Sequence, residues 1–186
     1  MSVAGMVRSR GSSSQKSLLI LVLCVLIPLP VLCQTTEYEL KAAFLYNFTQ
    51  FVTWPAGSFD AADTFKMCVA GPDPFGKILD EITKEEKVQE HKIEVARYED
   101  VRQADGCHLI FLSGSNSADV ERALKVFNGK PVLLIGEAPE FAEKGGTIAF
   151  RVVERRVKLR INLKAARQAN LTISSKLLRV SEVIGE

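Results

Sequence analysis

The sequence predicts an α/β fold, in which a mainly parallel sheet is covered by helices on both faces and is followed by a C-terminal antiparallel hairpin. Short strands alternate with helical segments through the first two thirds of the chain. Two of these strands, 107–112 and 132–135, are continuously apolar, which is typical of strands buried on both faces. The last third instead contains two strands, 147–153 and 156–162, in which apolar and polar residues alternate, as in a hairpin that packs on a core.

The first predicted helix covers residues 36–52 and carries a wide apolar band. Acidic residues near its start suit the positive end of the helix dipole, and Pro55 and Gly57 end it. A band of this width indicates either deep burial or contact of one face with a partner. Tyr46 and Trp54 are the candidate partner-contact aromatic residues of this region.

The later elements follow from the same spacing rules. Asp73 and Pro74 predict the N-cap and first residue of a second helix, and Ser117 and Ser174 predict the N-caps of two others. In chain order after the first helix, the predicted elements are strand 65–70, a helix from Asp73, strand 92–98, strand 107–112, a helix from Ser117, strand 132–135, strands 147–153 and 156–162, helix 163–169 and a last helix after Ser174.

Residues 1–33 predict a secretory signal peptide. A basic start without acidic residues precedes a mostly apolar stretch, 18–32, and Val31 with Cys33 suits cleavage before Gln34. The apolar stretch is shorter than the roughly 20 residues that span a bilayer. An uncleaved membrane anchor and a lipoprotein attached through Cys33 are the alternatives.

Cleavage at this point leaves residues 34–186 as a single exported domain, long enough to bury a substantial core. Of the 24 Lys and Arg residues, three lie in the leader, which contains none of the 22 Asp and Glu residues. The predicted domain therefore carries a net charge of −1, from 21 basic and 22 acidic side chains. This balance gives no indication of a nucleic-acid partner.

Cys68 and Cys107 are the two cysteines outside the predicted leader. In an oxidising compartment a disulfide between them is favoured, and two buried free thiols are the alternative. The sequence contains no Cys-x-x-Cys pair, so a reactive thiol site is not predicted.

The polar face of the hairpin is the main candidate binding site. A tight turn at 154–155 places Arg151 opposite Lys158. Like charges opposed across strands destabilise a sheet, so nearby carboxylates, an anionic ligand or an acidic partner surface are expected to compensate. The alternative is a solvated edge with the side chains splayed apart. The candidate ligand- or partner-binding residues are Arg151, Arg156, Lys158 and Arg160.

The sequence contains no motif that indicates catalysis or a metal site. His91 and His108 lack partners at the spacing of zinc ligands, and His108 is expected to be structural. The Gly-x-Ser-x-Gly motif of serine hydrolases is absent. We therefore expect a protein that is not an enzyme and that uses no cofactor or metal.

Several ordered blocks of the sequence resemble the YfiR-like family of periplasmic proteins. The hairpin departs from the family pattern, because arginines occupy a stretch where an Asn-Lys pair is usual. The resemblance covers nearly all of residues 36–180. The blocks are Lys41 to Phe48 with Phe51 and Trp54-Pro55, Gly71 to Gly76, Cys107 to Phe111, Gly145 to Phe150, and Ile161 to Leu163 with Leu171 to Leu178.

The resemblance implies an α/β fold, a homodimer and a disulfide that matches Cys68 and Cys107. It implies a periplasmic regulator that binds and represses the extracytoplasmic domain of an inner-membrane diguanylate cyclase, controlling cyclic di-GMP and biofilm formation. An OmpA-like outer-membrane lipoprotein is the implied second partner. The alternative function is a periplasmic small-ligand module, in which Arg151 and Lys158 hold an anion and inform a membrane sensor.

Overall fold

The computed structural model describes residues 31–59, 64–114 and 117–185, and for residues 31–36 it describes the backbone alone. The predicted signal peptide therefore lies outside the described residues, apart from its last three. Within these ranges, no helix is long and apolar enough to cross a bilayer.

Helices and strands alternate along the described part of the chain. The helices are α1 (Val31–Phe51), α2 (Lys77–Thr83), α3 (Ser117–Val126), α4 (Leu163–Gln168) and α5 (Ser175–Leu178). The strands are β1 (Val52–Thr53), β2 (Thr64–Ala70), β3 (Lys87–Val88), β4 (His91–Tyr98), β5 (Leu109–Leu112), β6 (Leu133–Gly136), β7 (Ile148–Val153), β8 (Arg156–Asn162), β9 (Thr172–Ile173) and β10 (Glu182–Ile184).

Eight strands form one sheet in the order β10-β8-β7-β6-β5-β2-β4-β3, and β1 pairs with β9 in a separate ribbon. The pairs from β7 through β6, β5 and β2 to β4 are parallel, as is β10 with β8. The pairs β7–β8 and β3–β4 are antiparallel. The prediction of a mainly parallel sheet is therefore corrected to a mixed sheet, because tight turns rather than helical crossovers join these two pairs.

Successive residues of each strand point to opposite sides of the sheet, and this divides the core into two clusters. In β2, Met67 packs in a first cluster together with residues of α1, whereas Cys68 packs in a second cluster together with residues of α3. The α1 members are Ala42, Leu45 and Phe48, and the α3 members are Val120 and Ala123. Complete covering of both faces by helices stays a prediction.

The first helix is present, and one face of it is deeply buried. It begins at Val31, five residues before the predicted start, and ends at Phe51. Leu45 and Phe48 are inaccessible to solvent, and the Phe48 ring stacks on Phe150 with centroids 5.9 Å apart. Of the two explanations for the wide apolar band, the structure supports burial.

The second helix begins later than predicted. Its N-cap is Gly76, so neither Asp73 nor Pro74 belongs to it. The Asp73 carboxylate instead accepts a hydrogen bond from the N–H of Phe75 and forms an ion pair with Arg97 of β4, at 2.6 Å. The Asp73 side chain thus closes a local turn with Phe75 and is drawn to β4, and the helix starts after this turn.

The structure contains the predicted disulfide between Cys68 and Cys107, whose Cα atoms are 6.1 Å apart. Cys68 lies on β2, and Cys107 lies two residues before the neighbouring strand β5. Both residues belong to the second core cluster. The bond therefore links two adjacent central strands inside the core.

His108 is a buried part of an aromatic cluster. Its ring lies 5.0 Å from Phe59 and 5.2 Å from Phe65, measured between centroids. The Nδ1 atom accepts a hydrogen bond from the N–H of Lys66 at 2.9 Å, so this nitrogen carries no proton. Burial lowers the pKa of His108 below its ordinary value, because the charged imidazolium is poorly solvated there.

We expect the double replacement Cys68→Ala with Cys107→Ala to lower the free energy of unfolding. The disulfide closes a loop with a sequence separation of 39 residues, and the chain-entropy model assigns about 4 kcal/mol to such a loop. Urea unfolding, followed by the fluorescence of the single tryptophan, measures this loss. Reduction of the wild-type protein is the matched comparison, and unchanged midpoints in both experiments contradict the prediction.

The stability of the protein should fall as the pH drops below the unperturbed His108 value of about 6.5. Because the folded state has the lower pKa, the unfolded state binds more protons, and the stability present above pH ~6.5 is lost as the pH falls through the folded-state pKa. Urea midpoints at pH 7.5 and pH 5 measure the effect. His108→Asn keeps an acceptor near Lys66 without titrating, so an equal loss in this variant argues against the assignment.

Candidate functional site

The β7–β8 hairpin has the register that alternation predicts, with Arg151 directly opposite Lys158. Its turn residues, Glu154 and Arg155, both have positive φ angles, 51° and 61°. Such values match the turn type that suits the twist of a hairpin and that usually requires Asn-Gly. This chain makes the turn with two side chains that disfavour it.

Carboxylates hold two of the four predicted basic residues. Arg160 forms ion pairs with Glu143 and with Glu182, the latter at 2.6 Å, and Arg151 lies 3.3 Å from Glu182. Glu182 belongs to β10, a three-residue strand that the apolar pattern did not predict. The compensation expected from opposed like charges is thus present, but only at this end of the hairpin.

The far end of the hairpin, residues 152–158, is exposed apart from the half-buried Val157, and we call it the hairpin tip. Val152 and Val153 are 54% and 43% exposed. Arg155, Arg156 and Lys158 are exposed too, and within the described part of the chain they form no ion pair. With the exposed Glu154, the tip carries three cations and one carboxylate, a net charge of +2, beside apolar surface, a combination suited to an acidic partner surface.

A groove of about 670 Å³ lies beside β7, and we call it the β7 groove. Its lining includes Tyr38 and Lys41 of α1, Glu137 directly after β6, and Phe150 and Val152 of β7. The groove brings together residues that are distant in the sequence, since Lys41 and Glu137 are 96 residues apart.

Lys41 is a buried cation held by two carboxylates. Its side chain is 3% exposed, and Nζ lies 2.6 Å from Glu37 and 2.5 Å from Glu137. The same Nζ lies 4.5 Å from the centroid of the Tyr38 ring, and the Tyr38 hydroxyl donates to Glu137. Burial acts to lower the pKa of Lys41, but hydrogen bonds to Glu137 and Glu37 outweigh it and raise the pKa, so the ammonium remains charged.

The segment after β6 contains a phenylalanine, Phe141, that forms part of the groove. Phe141 is inaccessible to solvent and also lines the groove. A side chain at Gly136 or at Gly146 would place its Cβ atom 2.8 Å or less from the Phe141 ring. Both positions therefore require glycine for this ring to pack between them.

Sequence reasoning did not select Lys41 or Glu137 as site residues. One signal was available for Lys41, because this lysine lies in the apolar band of the first helix. A lysine there must find a carboxylate partner when the helix is buried. Nothing local identifies Glu137 as that partner.

The two candidate aromatic residues lie away from the β7 groove, and neither lines it. Trp54 is 3% exposed, and its indole N–H donates to the C=O of His108 at 3.2 Å. Tyr46 is half-buried, and its hydroxyl donates to Glu86 at 2.5 Å, which raises the pKa of Tyr46. Trp54 is therefore a core residue, and of the two only Tyr46 has part of its side chain exposed to solvent.

The fold and these surfaces define a class of protein: an α/β domain that presents a groove and an exposed hairpin. Within the described ranges, no group of three or more His, Cys, Asp or Glu side chains is placed to hold a metal ion. Residues 38–182 match the YfiR/HmsC-like family, and the chain belongs to this family. Its members are known as periplasmic regulators rather than enzymes.

No curated protein matches the chain. Two similar solved structures are the ABC domain in complex with L-Trp from Streptococcus pneumonia and a conserved domain protein from Vibrio cholerae O1 biovar eltor strain N16961. They are 12% and 13% identical, with TM-scores of 0.48 and 0.46 over 66% and 63% of this chain. The chain spans 56% and 54% of their length, so the resemblance carries no functional argument.

Replacing the turn residues by Asn-Gly should stabilise the protein. Glu154→Asn with Arg155→Gly relieves the backbone strain of two residues in the left-handed conformation, which costs about 1 kcal/mol each. The free energy of unfolding should therefore rise by about 2 kcal/mol. Urea unfolding measures the gain. The control Glu154→Ala with Arg155→Ala removes the same charges and keeps the backbone strain, so an equal gain in both variants refutes the explanation.

Proposed function

We propose that this protein is a periplasmic regulator that binds the extracytoplasmic domain of an inner-membrane diguanylate cyclase and represses the enzyme. Repression then controls cyclic di-GMP and biofilm formation. In this proposal, residues 1–33 are a cleaved signal peptide, residues 34–186 form the single exported domain, and the domain acts as a homodimer. Membership of the YfiR/HmsC-like family supports the regulatory class and a protein partner in signalling.

The observation that carries the proposal is the hairpin tip. Its two exposed valines supply apolar contact area, and its three cations lack ion pairs within the described residues. Uncompensated charge at the rim of an apolar patch speeds association with an oppositely charged surface and selects against other partners. The contact surface of the cyclase is therefore expected to be acidic.

Binding represses the enzyme only if the regulator prefers its inactive conformation. Each tenfold preference shifts the equilibrium by about 1.4 kcal/mol. A second partner that covers the same surface reduces the free regulator and restores activity by mass action. An OmpA-like outer-membrane lipoprotein fills this role in the proposal.

The alternative is a small-ligand module in which Arg151 and Lys158 hold an anion. The two residues lie directly opposite each other on the hairpin. However, Arg151 already lies 3.3 Å from Glu182, so a small anion has to compete with a carboxylate of the same protein. This competition favours a protein partner at the free end of the hairpin.

Charge reversal at the hairpin tip tests the proposal. Arg156→Glu with Lys158→Glu should weaken binding to the detergent-solubilised cyclase at least tenfold and relieve its inhibition, because the reversed charges repel an acidic surface. Biolayer interferometry and cyclic di-GMP synthesis measure these effects. Lys125→Glu with Lys176→Glu makes the same charge change at exposed positions elsewhere. Equal affinity of the tip variant and this control contradicts the proposed surface.

A further inference from the structure

Strand β7 has an open edge. On one side, β8 pairs with β7 along its whole length, Ile148 to Val153. On the other side, β6 pairs only with Ile148 and Ala149, because β6 ends at Gly136. Within the described part of the chain, no strand lies beside Phe150–Val153 on the β6 side.

The direction of the backbone groups follows from the hairpin pattern. The N–H of Asn162 donates to the C=O of Thr147 at 2.9 Å. In an antiparallel pair such residues alternate with residues whose N–H and C=O point away from the partner strand. Thr147 precedes the strand, and its own N–H still donates to the C=O of Leu134 on the β6 side, at 3.1 Å. From the C=O of Thr147 onwards the alternation holds, so Ala149, Arg151 and Val153 bond towards β8. Val152 has the opposite parity, so its N–H and C=O point to the open edge.

The open edge faces the β7 groove, which Phe150 and Val152 line. Its volume, about 670 Å³, lies within the range of roughly 300–1,000 Å³ found for ligand sites. An extended chain that runs beside β7 at the usual strand spacing of about 4.8 Å enters this space. Unpaired backbone groups at a strand edge are the template used in strand addition.

The accessible charge of the groove is negative. Four carboxylates (Glu37, Glu137, Glu140 and Glu143) and three cations (Lys41, Arg151 and Arg160) line it, which gives a net charge of −1. Lys41 and Arg160 are 3% and 18% exposed and are held by carboxylates, whereas Arg151 is 45% exposed and lies 3.3 Å from Glu182. The carboxylates beside Lys41 and Arg160 remain more accessible than these two cations: Glu37 is 32%, Glu137 is 21% and Glu143 is 38% exposed. A carboxylate has about four acceptor positions, so each can accept further hydrogen bonds.

We propose that the β7 groove binds an extended segment of a partner protein, which adds as a strand to the edge of β7. The segment carries a Lys or Arg whose side chain donates to the carboxylates around Lys41. Side chains of an added strand alternate between the two faces of the sheet, so the residue over Val152 is a second Lys or Arg, two positions along, whose aliphatic stem covers Val152. This inference rests on the proposed function for its protein partner, and it adds a second contact site whose charge preference is opposite to that of the hairpin tip.

A substitution at one backbone position separates strand addition from side-chain contact. Val152→Pro removes the N–H that faces the open edge and leaves the pairing with β8 intact, because Pro is tolerated on the unpaired side of an edge strand. The control Val152→Thr also changes the side chain of Val152 but keeps the backbone N–H that Val152→Pro removes. The hairpin register of both variants is checked by nuclear magnetic resonance.

The probe is the capped six-residue peptide TKVKVT, tested against the full chain with fluorescence polarisation. We expect Val152→Pro to weaken binding at least tenfold, and Val152→Thr to change it by less than threefold. The peptide TEVEVT should bind at least tenfold more weakly than TKVKVT. In the wild-type protein, the exchange of the Val152 amide hydrogen should slow when TKVKVT is added.

Equal binding of both peptides, equal binding by the Pro and Thr variants, or unchanged exchange at Val152 overturns the inference. Self-association that Val152→Pro abolishes also overturns it, since a second copy then occupies the groove. The tip variant Arg156→Glu with Lys158→Glu should bind TKVKVT normally. Peptide binding without cyclase binding therefore refutes the proposed partner alone, and cyclase binding without peptide binding refutes the groove alone.

Discussion

The architecture around the candidate site depends on the need to neutralise one buried ammonium. Lys41 lies on the buried face of the first helix, where its side chain is almost inaccessible, and an unpaired charge there is very costly. Glu137 supplies the second of its two carboxylates, directly after β6 ends at Gly136. Glu137 contacts Lys41 and Tyr38 of this helix where the chain leaves the sheet, and the neighbouring edge of β7 is left open beside a groove.

The basic residues of the hairpin differ in whether carboxylates of the same protein neutralise them. At its inner end, Arg160 and Arg151 are bound by carboxylates and contribute to the fold. At its outer end, Arg156 and Lys158 have no such partner within the described residues and are available to another molecule. The basic face of the hairpin is thus divided into two parts. The inner part stabilises the fold, and the outer part is suited to recognition of another molecule. The protein offers two surfaces of opposite charge, the tip and the β7 groove.

Local patterns predicted much of the fold. The alternation of apolar residues specified the hairpin register, because a slip by one residue turns every side chain to the wrong face. Ser174 was predicted to cap the last helix and does so, by accepting a hydrogen bond from the N–H of Lys176. Asp73 has the same chemistry as a capping residue, yet Arg97 of another strand takes part of its carboxylate.

The sequence by itself determined the family, the order of the main elements and the basic character of the hairpin, because these depend on residues close together in the chain. It also indicated the pairing of Cys68 with Cys107, since few alternatives existed. Only the tertiary structure decided that the sheet is mixed, that Glu182 and Glu143 bind half of the basic face, and that Lys41 meets Glu137. These depend on strand order and on contacts across as many as 96 residues, which no local spacing encodes.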